Sequence, residues 1–202
     1  KWGEYQRTIH TANTVSSFGE MPQPELMAYA RGDMGLAQQT STVGTGYATQ
    51  KALDKSIQTV AANMLRQRED DPAAYVMKHV AGVADMFAAI EDMPDAEKAA
   101  QEKLAIQRLM TEQEKLGVIN RGIMPKDVAA QTVKELSSLP PEQMYDAMLG
   151  FEKRFGEYTD LAVSQLMDSG LNGNQAVAFD MTMPSQQQAR KLLLAANSAD
   201  LQ

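Results

Sequence analysis

The sequence predicts an all-α fold: an irregular multi-helix bundle of antiparallel helical hairpins with an extended N-terminal arm. From Tyr47 onward, apolar residues recur every three or four positions, which is the period of one helix face. Proline and glycine divide this pattern into short lengths, and short loops favour antiparallel neighbours. No stretch has the alternation and the β-branched enrichment that are typical of a strand.

The first 46 residues lack this pattern. They are rich in Ser, Thr, Gly, Gln and Asn, and Pro22 and Pro24 interrupt them, although residues 24–31 could form two helical turns. We interpret residues 1–46 as an arm that is extended or mobile, and residues 47–202 as the helical domain. The chain starts with Lys1 rather than methionine, so we expect a fragment or a processed product of a longer protein.

Three aromatic residues of the arm are the candidates for partner binding, because aromatic side chains often anchor protein interfaces. They are Trp2, Tyr5 and Phe18.

The stretch from Met64 to Val80 contains the clearest helix boundary. The first helix is expected from Tyr47 to about Arg68, with Arg68 at helical spacing from the apolar residues before it. Asp71 can accept from free N–H groups of the next first turn, and Pro72 suits the first helical position. A helix is therefore predicted to start at Pro72.

Glycines and prolines predict the next boundaries. Gly82 lies inside the second apolar stripe, which indicates either one weakened helix or two short ones. A long helix follows Pro94, and Gly117 is expected to end it. The residues predicted to face inward from this helix are Ala99, Ile106, Leu109, Met110 and Leu116.

The remaining helices follow the same logic. They are expected to begin near residues 125, 141, 159, 174 and 185, with Gly156 and Gly170 as terminators and Ser185 as a cap. The chain has 14 methionines, and the core positions that they are predicted to fill are Met64, Met110, Met144, Met148 and Met167. An adaptable apolar surface is the alternative interpretation of these methionines.

Composition limits the classes of function. The formal net charge is −7 and no run of Lys or Arg occurs, so no specific nucleic-acid site is evident. There is no cysteine, which excludes disulfides and thiolate chemistry. No apolar run approaches the roughly 18 residues of a spanning helix, and no signal peptide is visible.

The sequence lacks the HExxH, GxSxG, P-loop and GxGxxG motifs, although composition leaves a Ser-His-Asp arrangement open. The two histidines, His10 and His79, have no partner at metal-ligand spacing, and His79 is expected to be a packed or half-exposed side chain. Adjacent carboxylates such as Glu91 and Asp92 are interpreted as a solvated surface and helix caps. We therefore predict no catalytic, cofactor-binding or metal-ligating residue and no cofactor.

Five short elements, in order, carry a resemblance to a known family. They are the run LRQREDDPAAYV from Leu65 to Val76, QEKLG from Gln113 to Gly117, Met124–Pro125–Lys126, Phe155–Gly156, and the segment from Val163 to Leu171. Together they cover roughly residues 60–175. This series resembles the internal virion proteins of tailed bacteriophages, also called ejection or pilot proteins, some of which carry a lytic transglycosylase domain elsewhere in the chain.

The resemblance implies a non-enzymatic structural protein. Such a protein would be packaged in the capsid interior and delivered to the host cell envelope, where it would help the genome to cross. Its implied partners are other virion proteins of the internal core, portal or tail, further copies of itself and the host envelope. The context of a transglycosylase catalytic glutamate is absent from the sequence, so that activity is not carried over.

Two other hypotheses remain open. The chain could be a helical interaction module or adaptor that recognises a partner helix in a groove. It could also be a non-catalytic domain of a larger peptidoglycan-cleaving virion protein.

Overall fold

A computed structural model describes residues 2–33, 46–181 and 186–199 of the chain. Every regular element in these ranges is a helix and none is a strand, which confirms the all-α, multi-helix prediction. The antiparallel orientation of neighbouring helices stays a prediction.

The helices follow one another with short connections. Their bounds are α1 Trp2–Ser17, α2 Gln23–Arg31, α3 Gly46–Asp70, α4 Pro72–His79, α5 Val83–Glu91, α6 Asp95–Lys115, α7 Lys126–Ser138, α8 Pro141–Phe155, α9 Thr159–Asp168, α10 Gly173–Asp180 and α11 Gln187–Ala199. Two short 3₁₀ helices, Phe18–Glu20 and Gly156–Tyr158, complete them.

The prediction of an extended N-terminal arm is wrong for the described part of residues 1–46. Residues 2–17 and 23–31 are helical, and the segment between them contains the 3₁₀ helix Phe18–Glu20. Both helices pack on α3. The sequence pattern was misleading because the small polar residues of α1 lie mostly on its exposed surface, and the packing of this helix on α3 outweighs their preference for turns.

The boundary between α3 and α4 follows the sequence. The Asp71 carboxylate accepts a hydrogen bond from the Ala74 N–H at 3.0 Å, and Pro72 is the first residue of α4. An oxygen acceptor at this position satisfies one of the N–H groups that a first turn leaves without a partner. The predicted start of this helix is confirmed.

Glycines with positive φ mark the ends of helices as expected. Gly82 has φ of 77° and separates α4 from α5, so the second stripe is two short helices. Gly117 has φ of 74° beyond the end of α6. The inward-facing prediction holds for Ile106, Leu109, Met110 and Leu116 but is wrong for Ala99. Ala99 lies on the same face as Ile106, but it is exposed because it precedes by one turn the buried stretch that begins at Glu102.

The chain forms two compact units. Unit 1 comprises residues 1–81 and 111–121, and unit 2 comprises residues 82–110 and 122–202. The predicted boundary at residue 46 coincides with the start of α3, whereas the compact units divide the chain elsewhere.

Each unit has its own apolar core. In unit 1 a small cluster is fully buried, comprising Phe18, Leu26, Ile57 and Ala61. In unit 2 a larger cluster forms where α7, α8, α9, α10 and α11 meet, and its aromatic members are Tyr145, Phe151, Phe155 and Phe179.

The predicted methionine core is mostly correct. Met110, Met144 and Met148 are buried and Met64 is partly buried against the core of unit 1. Met167 is 49% exposed, because it lies on the solvent side of α9 next to the buried Leu166. Ser185, the predicted cap of the last helix, lies outside the described residues.

Candidate functional site

The most distinctive side chain of the described structure is Arg68 in unit 1, which is 0% exposed. Its Nη1 atom donates to the carbonyl oxygens of Met21 at 2.9 Å and Leu116 at 3.3 Å. Its Nη2 atom donates to the Phe18 carbonyl at 3.4 Å and to the Tyr75 hydroxyl at 3.1 Å. A planar guanidinium can serve several acceptors in one plane, which a lysine ammonium cannot do. We call these groups the Arg68 cluster.

Tyr75 supports the guanidinium in two ways. Its hydroxyl accepts from Arg68 and donates to the Phe18 carbonyl at 3.2 Å. The Arg68 Cζ atom also lies 4.7 Å from the centroid of the Tyr75 ring, a distance at which a cation is attracted to an aromatic face. The tyrosine therefore provides both a hydrogen-bonding group and an apolar surface for a buried charge.

One acceptor of Arg68 lies at the end of a helix, where backbone carbonyl groups need hydrogen-bond donors. Leu116 follows the last residue of α6, where helix carbonyls lack intrahelical partners. Its carbonyl accepts from both Arg68 and the Gln23 N–H, the latter at 2.8 Å. A cation at this position is also favoured by the negative end of the helix dipole. Arg68 thus connects α3, α4, the end of α6 and the turn around Phe18.

His79 lies beside the cluster. Its ring centroid is 4.5 Å from that of Tyr75, and its Nε2 atom is buried without a hydrogen-bond partner. Burial lowers the pKa of His79 from its ordinary value of 6.5, and the cations of Lys78 and Arg68 lower it further. The imidazole is therefore held in its neutral form.

A small cavity opens next to Arg68. Its volume is about 220 Å³, and its lining residues are Gln23, Arg68, Glu69, Val118, Ile119 and Asn120. The side chain of Ile119 is 85% exposed at this place. The lining mixes one cation, one carboxylate, two amides and two aliphatic side chains, so it contains no obvious set of catalytic groups.

Unit 2 contains a second side chain that binds the backbone of a distant segment. The Gln165 Oε1 atom accepts from the N–H groups of Ile123 at 2.7 Å and Met124 at 3.4 Å, and its Nε2 atom donates to the Met124 carbonyl at 3.2 Å. Gly122 leaves room for this amide, because a Cβ added to Gly122 would lie 2.8 Å from Gln165 Nε2 and would displace it. Gln165 therefore attaches the start of α7 to α9.

A buried ion pair completes the polar interior of unit 2. Arg190 on α11 is 1% exposed, and its Nη2 atom is 2.7 Å from Oε1 of Glu152 on α8. The Arg190 guanidinium also lies over the Tyr145 ring, at 5.2 Å from the centroid. This combination of a carboxylate and an aromatic face compensates for the burial of a cation.

The three predicted partner-binding residues have different positions. Trp2 begins α1, and its side chain lies outside the described parts of the structure. Tyr5 is 60% exposed on α1. Phe18 is fully buried and packs on Tyr29 with ring centroids 5.1 Å apart, so its side chain is not accessible to a partner in this structure. Phe18 lies in the core because the segment that contains it joins α1 to α2, and both of these helices pack on α3.

Sequence analysis missed the role of Arg68 and of Gln165. Arg68 occupies the apolar stripe of α3, and a cation in a buried stripe is the signal that could have indicated a structural charge. No comparable signal marks Gln165, because a glutamine on a helix is usually solvated.

No group of three or more potential metal-ligating side chains occurs among the described residues. In the same ranges, no single helix is both long and apolar enough to cross a membrane, while α4 and α5 reach the length and composition only when counted together as a broken pair. No protein-family model, curated protein or solved structure matches the chain significantly.

Proposed function

We propose that this chain is a structural, non-enzymatic segment of a bacteriophage internal virion protein, packaged in the capsid and involved in delivering the genome across the host envelope. The proposal starts from the resemblance over roughly residues 60–175. The observation that supports it best is that four of the five short elements of this resemblance contact one another in two pairs.

The first pair meets at Arg68. This residue belongs to the run from Leu65 to Val76, and it donates to the carbonyl of Leu116 in the element Gln113–Gly117. Within the same element Gln113 is fully buried, and its carbonyl accepts from the Val118 N–H at 2.9 Å. Residues that are 48 positions apart therefore share one hydrogen-bond network, which gives a physical reason for the two elements to occur together.

The second pair meets at Gln165. This residue belongs to the element from Val163 to Leu171, and it binds both backbone groups of Met124 at the start of the element Met124–Lys126. At these two contacts, one in each unit, four of the five elements help to hold their unit together.

The chemistry of these contacts suits a structural role. The hydrogen bonds of Arg68, Gln165 and Arg190 all join other groups of the protein, namely backbone carbonyls, backbone N–H groups, a hydroxyl and a carboxylate. Such groups fix the positions of helices. In the proposed function they keep each unit in one shape while its outer surface contacts other virion proteins or further copies of this chain.

The proposal is tested by quantitative mass spectrometry of purified particles of the phage that encodes the chain. Peptides of this chain are measured before and after triggered DNA release, with peptides of the capsid shell as the constant reference. We expect peptides of this chain in intact particles and their depletion, relative to the shell, after release.

The other outcomes separate the alternatives. Peptides that stay with the particle after release would indicate a fixed capsid or tail component and contradict delivery to the host. Complete absence from particles would contradict the virion proposal and favour a helical interaction module. Muralytic activity found only in a longer natural chain would make this segment the non-catalytic part of a peptidoglycan-cleaving virion protein.

A further inference from the structure

The contact between His79 and the turn around Phe18 carries an inference beyond the proposed function. The turn consists of the 3₁₀ helix Phe18–Glu20 together with Met21, and we call it the Phe18 turn. A Cβ atom added to Gly19 would lie 3.1 Å from Cβ and 3.4 Å from Nδ1 of His79. The imidazole thus lies directly against the backbone of the turn.

This contact suits only a neutral imidazole. The buried Nε2 atom has no acceptor, so a proton added there would have no hydrogen-bond partner. The Tyr75 hydroxyl is already used by Arg68 and Phe18. Protonation would also place a second cation beside the ring that already carries the Arg68 guanidinium.

The neighbouring charges reinforce this preference. Arg68 acts on His79 from α3, and Lys78 acts on it from α4. On the Phe18 turn the one titratable side chain is that of Glu20, which is exposed to solvent. The exposed carboxylates of Glu69 and Asp70 at the end of α3 are likewise screened by water.

We propose that His79 makes the attachment of the Phe18 turn to α4 sensitive to pH, so that the turn is held at neutral pH and released on acidification. The released state exposes the imidazole, which then binds a proton with the affinity of an ordinary histidine. The fraction of molecules with a released turn therefore rises as the pH falls below about 6.5. It stops rising once the pH is below the lowered pKa that His79 has in the attached state.

The test is hydrogen exchange of the full chain, followed by mass spectrometry of peptides that contain the Phe18 turn. Protection factors, corrected for the intrinsic pH dependence of exchange, are compared at about pH 7.5 and about pH 5. We expect protection to fall on acidification by about tenfold for each unit by which the pKa of His79 lies below its ordinary value. Unchanged protection would overturn the proposal.

Two variants assign the effect. His79→Phe keeps an aromatic ring on Tyr75 but cannot titrate, so we expect it to abolish the pH dependence. His10→Gln removes the other histidine, which is exposed on α1, and we expect it to behave like the unchanged chain. Persistence of the pH dependence in His79→Phe would overturn the proposal.

A direct titration covers the case in which His79→Phe does not fold. The imidazole of His79 is followed by NMR in the unchanged chain, with His10 as the internal reference. A pKa below 6.5 for His79 supports the proposal, and a pKa at or above that value overturns it.

Discussion

Arg68 is a cation buried away from water, which is unfavourable unless the charge finds polar partners. Here three backbone carbonyls and one hydroxyl accept from its two Nη atoms. Within the described structure none of these acceptors is a carboxylate, so the charge is balanced by dipoles, including that of α6. Such an arrangement depends on several chain segments being in place at once, and it fixes them relative to one another.

Replacing Arg68 by methionine should destabilise unit 1 by about 3 kcal/mol, because several buried acceptors lose their donor. Arg68→Lys should recover little of this loss, since an ammonium group cannot reach all four acceptors. Denaturant unfolding followed by circular dichroism measures the change. The control is Arg66→Met on the exposed side of α3, and an equal loss in both variants would contradict the assigned role.

The Tyr75 hydroxyl should contribute less than Arg68. We expect Tyr75→Phe to lower the free energy of unfolding by about 1–2 kcal/mol, because both hydrogen bonds of the hydroxyl are lost while the Phe18 carbonyl keeps Arg68 as a donor at 3.4 Å. Tyr5→Phe, at a tyrosine that is 60% exposed, is the matched control. The double variant Tyr75→Phe with Arg68→Met should lose less free energy of unfolding than the sum of the two single losses. A loss equal to that sum would show that the two residues act independently.

For single residues, the sequence predicted the interactions that join near neighbours in the chain. Asp71 caps α4 through a residue three positions away, so its role could be read locally. The partners of Arg68 are 47 to 50 positions distant along the chain, apart from Tyr75. No periodicity indicates which carbonyls will meet a given side chain, and the Arg68 cluster therefore appeared only with the fold.

Among the helices, the connection between α9 and the start of α7 depends on one glutamine. Gln165→Leu should destabilise unit 2 by about 2 kcal/mol, because the N–H groups of Ile123 and Met124 lose their acceptor. Gln188→Leu, on the exposed side of α11, is the control. The measurement is thermal unfolding, and a Tm for Gln165→Leu equal to that of the control would contradict the role of Gln165.

The break between α4 and α5 requires a left-handed residue. We expect Gly82→Ala to destabilise the chain by about 1 kcal/mol, since φ of 77° is strained for alanine while an added Cβ meets nothing within 4 Å. Gly150→Ala in the interior of α8 is also free of steric contacts but has no positive φ, and it should stabilise by about 0.5–1 kcal/mol. If Gly82→Ala and Gly150→Ala changed the free energy of unfolding in the same direction, this explanation of the break would be wrong.

The helical elements themselves were largely predictable. Prolines at helix starts and glycines at helix ends act on adjacent residues, so α3 to α10 begin and end close to the predicted positions. The first helix was missed because its Ser, Thr and Asn residues are typical of loops and its position depends on contacts with α3, whereas residues 24–31, which were expected to allow two helical turns, belong to α2. Contacts of that kind have no signature in a single sequence.

At the scale of the whole molecule, the chain path matters: unit 1 consists of two separate stretches, residues 1–81 and 111–121. The second stretch supplies the buried Leu116 and the carbonyl that accepts from both Arg68 and Gln23. A fragment of residues 1–121 should therefore unfold cooperatively on heating, whereas residues 1–81 should not. Circular dichroism distinguishes these outcomes, and equal melting of the two fragments would show that residues 111–121 are dispensable for unit 1.

The division into units could not be predicted from the sequence. Composition changes near residue 46, and that change suggested an arm followed by one domain. The chain instead passes from unit 2 to unit 1 between Met110 and Thr111, inside α6, a helix with no interruption between Asp95 and Lys115. A boundary inside a regular helix leaves no proline, glycine or change of composition to mark it.

The interleaved path of unit 1 also has a consequence for biosynthesis. A ribosome finishes residues 1–81 well before it reaches Leu116, so the nascent chain contains Arg68 long before one of its acceptors exists. During this interval Arg68 lacks one of its four acceptors, and unit 1 lacks the buried side chain of Leu116. The order of translation thus delays closure of unit 1 until about forty further residues have emerged, a period in which a chaperone or a co-assembling partner has access to its unfinished core.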